Sequence, residues 1–93
     1  MQPVSEITKV VLENDRVRVT EVRTKPGEKM PMHSHPSYLI YSVTPGRYQF
    51  TTPDGRTEIV EYDEGQTAWR EPETHEVENI GTNETRTLVV DFK

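Results

Sequence analysis

The chain has 93 residues, which is enough for one domain and leaves no room for a second hydrophobic core. Its net charge of −5 argues against binding to nucleic acid or to anionic membranes, and no apolar run approaches the ~20 residues of a membrane span. The absence of cysteine excludes disulfides, thiolate metal sites and thiol nucleophiles.

The first half of the chain alternates between short β-branched segments and turn formers, which predicts strands rather than helices. Residues 1–9 are predicted to form an N-terminal arm or an edge strand, and residues 10–93 a single domain. Val17 and Val19 share one strand face, and Val22 then breaks the phase. This indicates either a bulge or a strand that is covered on both sides.

The segment Met32-His33-Ser34-His35 contains two of the three histidines, one residue apart. Alternate side chains of a strand point to the same face, about 6.6 Å apart along the strand. His33 and His35 are therefore predicted to project into one interior. Carrying the same alternation forward predicts a further inward set, Ser37, Leu39, Tyr41 and Val43.

The second half of the chain continues the pattern of short strands and frequent turns, such as the hairpin signal Pro53-Asp54-Gly55. The third histidine begins a predicted strand whose inward residues are His75, Val77 and Asn79. In total, eight or nine short strands and no long helix are expected. The predicted fold is an all-β barrel or double-sheet jelly roll.

The three histidines are the best candidates for chemistry, because a third imidazole from another strand would complete three corners of a metal polyhedron. Three neutral nitrogen ligands suit Fe(II), Zn, Ni, Mn or Cu and leave one to three positions open. The alternative is that His33 and His35 lie in a solvated turn and that His75 is an ordinary barrel residue.

Other residues have both a functional and a structural interpretation. Tyr41 either hydrogen-bonds a substrate or has its hydroxyl satisfied by the backbone. Glu71 is either a carboxylate ligand or general base, or an exposed surface charge. Trp69 either lines the barrel wall or stacks on a ligand, and Asn79 either packs within its strand or supports a metal ligand. The pocket is predicted to include Leu39, Trp69, Val77 and Asn79.

Two groups of residues resemble the two sequence motifs of the cupin family. Gly27, His33-Ser34-His35 and Gly46 are similar to the first motif. The residues similar to the second motif, with Pro72 displaced and the spacing one residue shorter, are Gly65, Pro72, His75 and Asn79. Within cupins the chain resembles the small bacterial proteins named after β-alanine degradation. The resemblance implies a double-stranded β-helix barrel with a divalent metal near its centre, and frequently a homodimer.

One departure from the family pattern concerns the metal ligands. The first motif normally carries a glutamate ligand four or five residues after its second histidine, and those places are Leu39 and Ile40 here. The expected site therefore has three histidines and no carboxylate, with Leu39 beside the vacant corner. Because no ligand neutralises the charge of the metal, such a site should favour a small anionic molecule.

Two functions from different classes follow from this resemblance. One is an enzyme that acts on a small anionic metabolite, dioxygenase-like with iron and an isomerase, decarboxylase or hydrolase with another divalent metal. The other is a non-catalytic module that binds a metal or a metabolite. A homodimer is expected from the thin core and from the family. The N-terminus lacks the apolar segment of a signal peptide, so a cytoplasmic location is the default expectation.

Overall fold

The computed structural model describes residues 7–93, and every regular element between residues 8 and 93 is a β-strand. The strands are β1 (Thr8–Glu13), β2 (Val17–Thr24), β3 (Lys29–His35), β4 (Tyr38–Ser42), β5 (Gly46–Thr51), β6 (Thr57–Tyr62), β7 (Thr67–Arg70), β8 (Glu73–Asn79) and β9 (Thr85–Phe92). The prediction of eight or nine short strands is confirmed for this part of the chain. None of the described residues forms a helix that is long and apolar enough to cross a membrane.

The nine strands form two antiparallel sheets. The five-stranded sheet has the order β1-β2-β9-β4-β7, and the four-stranded sheet has the order β3-β8-β5-β6. Strands that follow one another in sequence mostly lie in different sheets, so the chain repeatedly crosses from one sheet to the other. This two-sheet arrangement confirms the predicted jelly roll.

The hydrophobic core lies between the two sheets and is rich in aromatic residues. Tyr38 and Ile40 come from β4, Tyr48 and Phe50 from β5, and Tyr62 from β6. All five side chains are buried. Tyr48 and Phe50 share one face of β5, as their alternation predicts. Full burial of a side chain such as Ile40 or Phe50 contributes about 1.5–3 kcal/mol.

The phase break in β2 arises from apolar residues on both faces of the strand. The ladder between β2 and β9 runs from Val17 to Thr24 without a shift in register. Val22 lines the interior cavity and Val19 does not, so the two valines lie on opposite faces. The bulge alternative is therefore wrong for β2, and the irregularity lies in the neighbouring strand β1, between Val10 and Leu12.

Residues 1–6 of the predicted N-terminal arm lie outside the described residues. Thr8 and Lys9 belong to β1, which is an edge strand of the five-stranded sheet.

The inward face of β4 differs from the prediction. Tyr38, Ile40 and Ser42 are buried, whereas Tyr41 is 39% exposed. The predicted inward set of Ser37, Leu39, Tyr41 and Val43 is therefore wrong. The chain bends at residues 36–37 as it leaves β3 in one sheet and enters β4 in the other. Side-chain alternation holds only within a continuous strand. The alternation of β3 therefore does not predict which residues of β4 point inward.

Candidate metal centre

The three histidines lie side by side on two neighbouring strands of the four-stranded sheet. His33 and His35 alternate on β3, and His75 lies on β8 directly opposite His33 in the antiparallel register. Directly opposed residues share a face of the sheet. The prediction that all three imidazoles face one interior is confirmed, since all three line the same cavity.

The imidazole rings form a compact triangle. The ring centroid of His33 lies 4.6 Å from that of His35 and 4.8 Å from that of His75. The ring centroids of His35 and His75 are 5.4 Å apart. One candidate ligand nitrogen from each residue lies within 4.8 Å of the other two. Nitrogen ligands about 2.0–2.1 Å from a common ion are compatible with this spacing after small side-chain adjustments.

A bulge in β3 positions the ring of His33. The register between β3 and β8 shifts between Met30 and His33, so one stretch of β3 backbone leaves the regular ladder. The carbonyl of Pro31, within that stretch, accepts a hydrogen bond from His33 Nδ1 at 2.7 Å. Because Nδ1 is the donor, the lone pair of the neutral ring is on Nε2.

The ring of His35 is held by the opposite sheet. Its Nδ1 donates to Oδ1 of Asp91 on β9 at 2.7 Å, and its ring stacks on Tyr38 with a centroid distance of 4.2 Å. As in His33, this hydrogen bond leaves Nε2 free to bind an ion. A carboxylate behind a metal-binding imidazole is a common arrangement in metal sites.

His75 is the most deeply buried of the three histidines, with 2% of its surface exposed. Its Nδ1 is the one buried side-chain nitrogen or oxygen without a hydrogen-bond partner among the described residues. Oε1 of Glu73 lies 3.6 Å from this Nδ1, beyond hydrogen-bonding distance. Burial lowers the pKa of His75 to about 4, and burial also lowers the pKa of His33. Both rings are therefore neutral at pH 7 and able to bind a metal.

Glu73 belongs to a small charged cluster beside the histidines. Its carboxylate accepts hydrogen bonds from Arg70 at 2.7 and 3.1 Å and from the Tyr38 hydroxyl. Burial alone would raise the pKa of Glu73, but the bonds from Arg70 and Tyr38 outweigh it and lower the pKa. Burial and the bond to Glu73 raise the pKa of Tyr38. The Tyr38 hydroxyl therefore remains protonated and committed to Glu73.

The histidines occupy one part of a cavity between the two sheets. The cavity has a volume of about 110 Å³, which is room for several water-sized groups. Apart from the histidine cluster and Asp91, its wall is mostly aliphatic and aromatic, with Thr and Tyr hydroxyls interspersed. The cavity is therefore mostly apolar, and its ionisable side chains other than tyrosines are the three histidines and Asp91.

The side chains that are present fit a divalent transition metal. Three imidazoles form a nitrogen donor set that such ions prefer. Two of the three rings have Nδ1 engaged by an oxygen acceptor, which fixes their orientation. The third has a buried nitrogen with no protein partner, as expected where a ring is arranged to bind something other than protein.

Solved structures share both the fold and most of the chain length. A cupin domain from Bordetella pertussis Tohama I is 30% identical in sequence, with a TM-score of 0.85. The match covers 94% of this chain and 92% of that one. This chain belongs to the cupin family.

Two further solved structures are similar to this chain in fold. An RmlC-like cupin with a double-stranded β-helix fold, from Methanocaldococcus jannaschii, is 18% identical with a TM-score of 0.73, over 92% of this chain and 78% of that one. The polyketide cyclase RemF from Streptomyces resistomycificus is 27% identical with a TM-score of 0.65, over 91% of this chain and 63% of that one. No family model and no curated protein matches the chain. The likeness to β-alanine-degradation cupins stays a prediction.

Two of the predicted pocket residues lie on the inner face of β8. Val77 lines the cavity of this cupin. Asn79 is fully buried but is absent from the cavity wall, and its side chain binds Thr24, Gly81 and Asn83 instead. These contacts favour the structural interpretation of Asn79.

The other predicted pocket and catalytic residues lie away from the cavity. Leu39, Tyr41 and Trp69 follow the outward face of β4 and β7, where Leu39 is paired directly with Trp69. Trp69 is 56% exposed, and its indole N–H donates to exposed Glu71. The predictions that Leu39 lies beside the vacant corner and that Tyr41 points inward are therefore wrong. Both of these predictions relied on the alternation that was lost between β3 and β4.

Asp91 is the site residue that the sequence reasoning missed. In β9, the apolar residues Leu88, Val90 and Phe92 share the outward face of the strand. The inward face of the same strand carries Val89 and Asp91, which both line the cavity. The available signal was a carboxylate in the alternate phase of a terminal strand, and that signal is weak without a structure.

Proposed function

We propose that this cupin binds one divalent transition metal ion through His33, His35 and His75 and acts on a small anionic molecule beside it. The observation that carries the proposal is the placement of three imidazole nitrogens within 4.8 Å of one another in a mostly apolar cavity. A resident metal would supply Lewis acidity and, if it is iron or another redox metal, redox chemistry.

The chain's own residues determine what can bind there. The three imidazoles are neutral ligands, so the charge of a divalent ion would attract a carboxylate, an enolate or hydroxide. The surrounding wall, with residues such as Ile40, Phe50, Val77 and Val89, excludes water and favours an apolar remainder of the molecule. The substrate class that fits is therefore a small organic anion with an apolar body.

The reaction class depends on the metal. With iron the proposed activity is dioxygenase-like, and with another divalent metal it is an isomerase, decarboxylase or hydrolase activity. The similarity to a polyketide cyclase at 27% identity supports a catalytic role, although fold similarity does not select a reaction.

A non-catalytic binding module is the second candidate, and the hydroxyl groups of the cavity favour it. Tyr38 donates to Glu73, Tyr48 bonds Thr87 at 3.2 Å, and Thr24 bonds Thr85 at 2.9 Å. These hydroxyls are already engaged with protein and are poorly placed to move protons of a substrate. A module of this kind would be stabilised by its ligand without converting it.

Metal analysis tests the proposed centre. We expect untagged protein to contain about one equivalent of a transition metal by mass spectrometry, and His75→Ala to lose it. Met32→Ala is the matched control, because Met32 is 44% exposed beside His33 and does not line the cavity. The control should retain the metal. Wild-type protein that stays metal-free after incubation with Fe(II), Zn, Ni, Mn and Cu would refute the proposal. The identity of the metal would then decide which classes of substrate are screened. A compound that raises the melting temperature of the protein but is not converted would support the non-catalytic binding module.

We further propose that the chain forms a homodimer through the outer face of its five-stranded sheet. Directly paired residues form an apolar row across all five strands. The row consists of Leu12, Val19, Val90, Leu39 and Trp69. Its two ends are each about half exposed, at 51% for Leu12 and 56% for Trp69. By contrast, the row Lys29, Glu78, Gln49 and Ile59 across the outer face of the other sheet is mostly polar.

The apolar row suits a second copy of the same chain. A twofold axis parallel to the strands near Val90 would place the bulky Trp69 of one copy over the smaller Leu12 of the other. Five strands about 4.8 Å apart give a row roughly 19 Å wide, which is at the small end for an interface. The dimer is therefore expected to be reversible and dependent on concentration.

A further inference from the structure

Asp91 is the only acidic residue that lines the cavity in the described part of the chain. The positions where the family has its glutamate ligand hold Leu39, on the outward face of β4, and Ile40, which is part of the apolar wall. We propose that Asp91 replaces part of the function of that carboxylate by fixing His35 as a ligand and by supplying negative charge behind it. This inference rests on the metal centre proposed above.

His35 is fixed from two directions by the opposite sheet. At the edge of the ring, Asp91 Oδ1 accepts the hydrogen bond from Nδ1, and the Tyr38 ring stacks on one face of the imidazole. Tyr38 and Asp91 are themselves directly paired between β4 and β9, so the two contacts come from one rigid part of the sheet. A ring that is held in this way has few alternative rotamers, and its Nε2 stays available to an ion.

Of the two carboxylates beside the histidines, Asp91 and Glu73, Asp91 is the one with no arginine or lysine partner among residues 7–93. Only 18% of its side chain is exposed, and its one ion-pair partner among the described residues is His35. Glu73, near His75, is already paired with Arg70. His33 Nδ1 donates to the backbone carbonyl of Pro31, which carries no net charge. Negative charge one imidazole away from the ion therefore comes mainly from Asp91, and it increases the basicity of His35 as a ligand.

Two substitutions separate orientation from charge. Asp91→Asn keeps the shape of the side chain and an oxygen that can accept from His35, but it removes the charge. Asp91→Leu removes both the charge and the acceptor. Loss of a hydrogen-bond partner behind a metal ligand typically weakens metal binding 10–100-fold. We expect a loss of about tenfold for Asp91→Asn and of up to about 100-fold for Asp91→Leu.

The test is a Zn²⁺ titration of chelator-treated protein against a competing indicator, with the melting temperature of each metal-free protein measured in parallel. Asp63→Asn is the matched control, because Asp63 is exposed in the loop after β6 and does not line the cavity. It makes the same change in net charge and should leave the affinity within about twofold. The visible absorption of Co²⁺-loaded protein provides a second readout of the ligand environment that a packing role would not change.

The results distinguish this inference from the metal centre itself. Weaker Zn²⁺ binding by Asp91→Asn, with a metal-free melting temperature equal to that of the wild type, supports the inference. Wild-type affinity in Asp91→Asn overturns the role of charge while leaving the metal centre intact. If Asp91→Leu fails to fold, the Asp91→Asn result decides alone. Wild-type protein that binds no Zn²⁺, Co²⁺ or other transition metal overturns the metal centre and this inference together.

Discussion

Replacement of Asn79 by alanine should destabilise the fold without weakening metal binding. The side chain is fully buried where β8 ends. Its Nδ2 donates to the backbone carbonyls of Thr24 and Asn83, each at 3.1 Å, and its Oδ1 accepts from the N–H of Gly81 at 2.9 Å. A single side chain thus joins the end of β8 to the end of β2 and to the turn before β9.

The expected loss of stability follows from these three bonds. Each neutral hydrogen bond contributes about 1 kcal/mol net, and its loss is not compensated by water at a buried position. Asn79→Ala should therefore lower the free energy of unfolding by about 3 kcal/mol. In a domain of this size, 1 kcal/mol shifts the melting temperature by roughly 4–8 °C, so a decrease of about 12–24 °C is expected.

Urea denaturation and thermal melting of the metal-free protein measure this effect. Asn14→Ala is the control, because Asn14 also accepts two backbone N–H bonds, from Arg16 and Val17, but at an exposed position. Because water can replace those bonds, Asn14→Ala should lower the free energy of unfolding by about 1 kcal/mol or less. The reasoning is refuted if Asn79→Ala costs no more than Asn14→Ala, or if it weakens Zn²⁺ binding more than a few-fold while the protein remains folded.

Two further predictions concern pH and self-association. The pKa of His75 is about 4 in the folded state and about 6.5 in the unfolded chain, so the unfolded state binds more protons between these values. The metal-free protein should therefore lose stability on the order of 3 kcal/mol as the pH falls from 6.5 towards 4, measured by urea denaturation. His75→Phe should flatten this dependence, and an unchanged slope would contradict it. For the dimer, sedimentation should show twice the 10.8 kDa monomer mass for the wild type at high concentration. Trp69→Glu should be monomeric and Ile59→Glu, on the other outer face, should remain dimeric; a wild type that is monomeric at every concentration would refute the interface.

The parts of the fold that depend on local pattern were predictable from the sequence. Turn formers at short intervals and β-branched segments between them indicate short strands, and nine strands are present between residues 8 and 93. His33 and His35 share a face because they lie two residues apart within one strand. Both features depend only on the geometry of a continuous extended chain.

Which side chains of β4 point inward was not predictable in the same way. The bend at residues 36–37 carries the chain from the four-stranded to the five-stranded sheet, and it shifts the inward phase to Tyr38, Ile40 and Ser42. The dipeptide Pro36-Ser37 does not determine how many residues the connection between the two sheets contains. Prolines and serines indicate an interruption, but the phase beyond it depends on how the two sheets pack.

The contact between Asp91 and His35 depends on tertiary structure alone. The two residues lie 56 positions apart and on different sheets, and their contact exists only because β9 and β4 pair next to the crossing from β3. A terminal strand with apolar residues in one phase indicates burial of that phase. Here that face is the outer side of the five-stranded sheet.

The candidate metal centre joins the two sheets, and this has a consequence for stability. All three histidines come from the four-stranded sheet, whereas Tyr38 and Asp91, which hold His35, come from the five-stranded sheet. A metal ion at this centre would bind the folded state, with both sheets packed, more tightly than any state in which the contacts to His35 are lost. At a concentration 100 times its Kd, such an ion adds about 2.7 kcal/mol to the free energy of unfolding. For a chain of 93 residues whose core is built from few buried side chains, that contribution is a large fraction of the total stability.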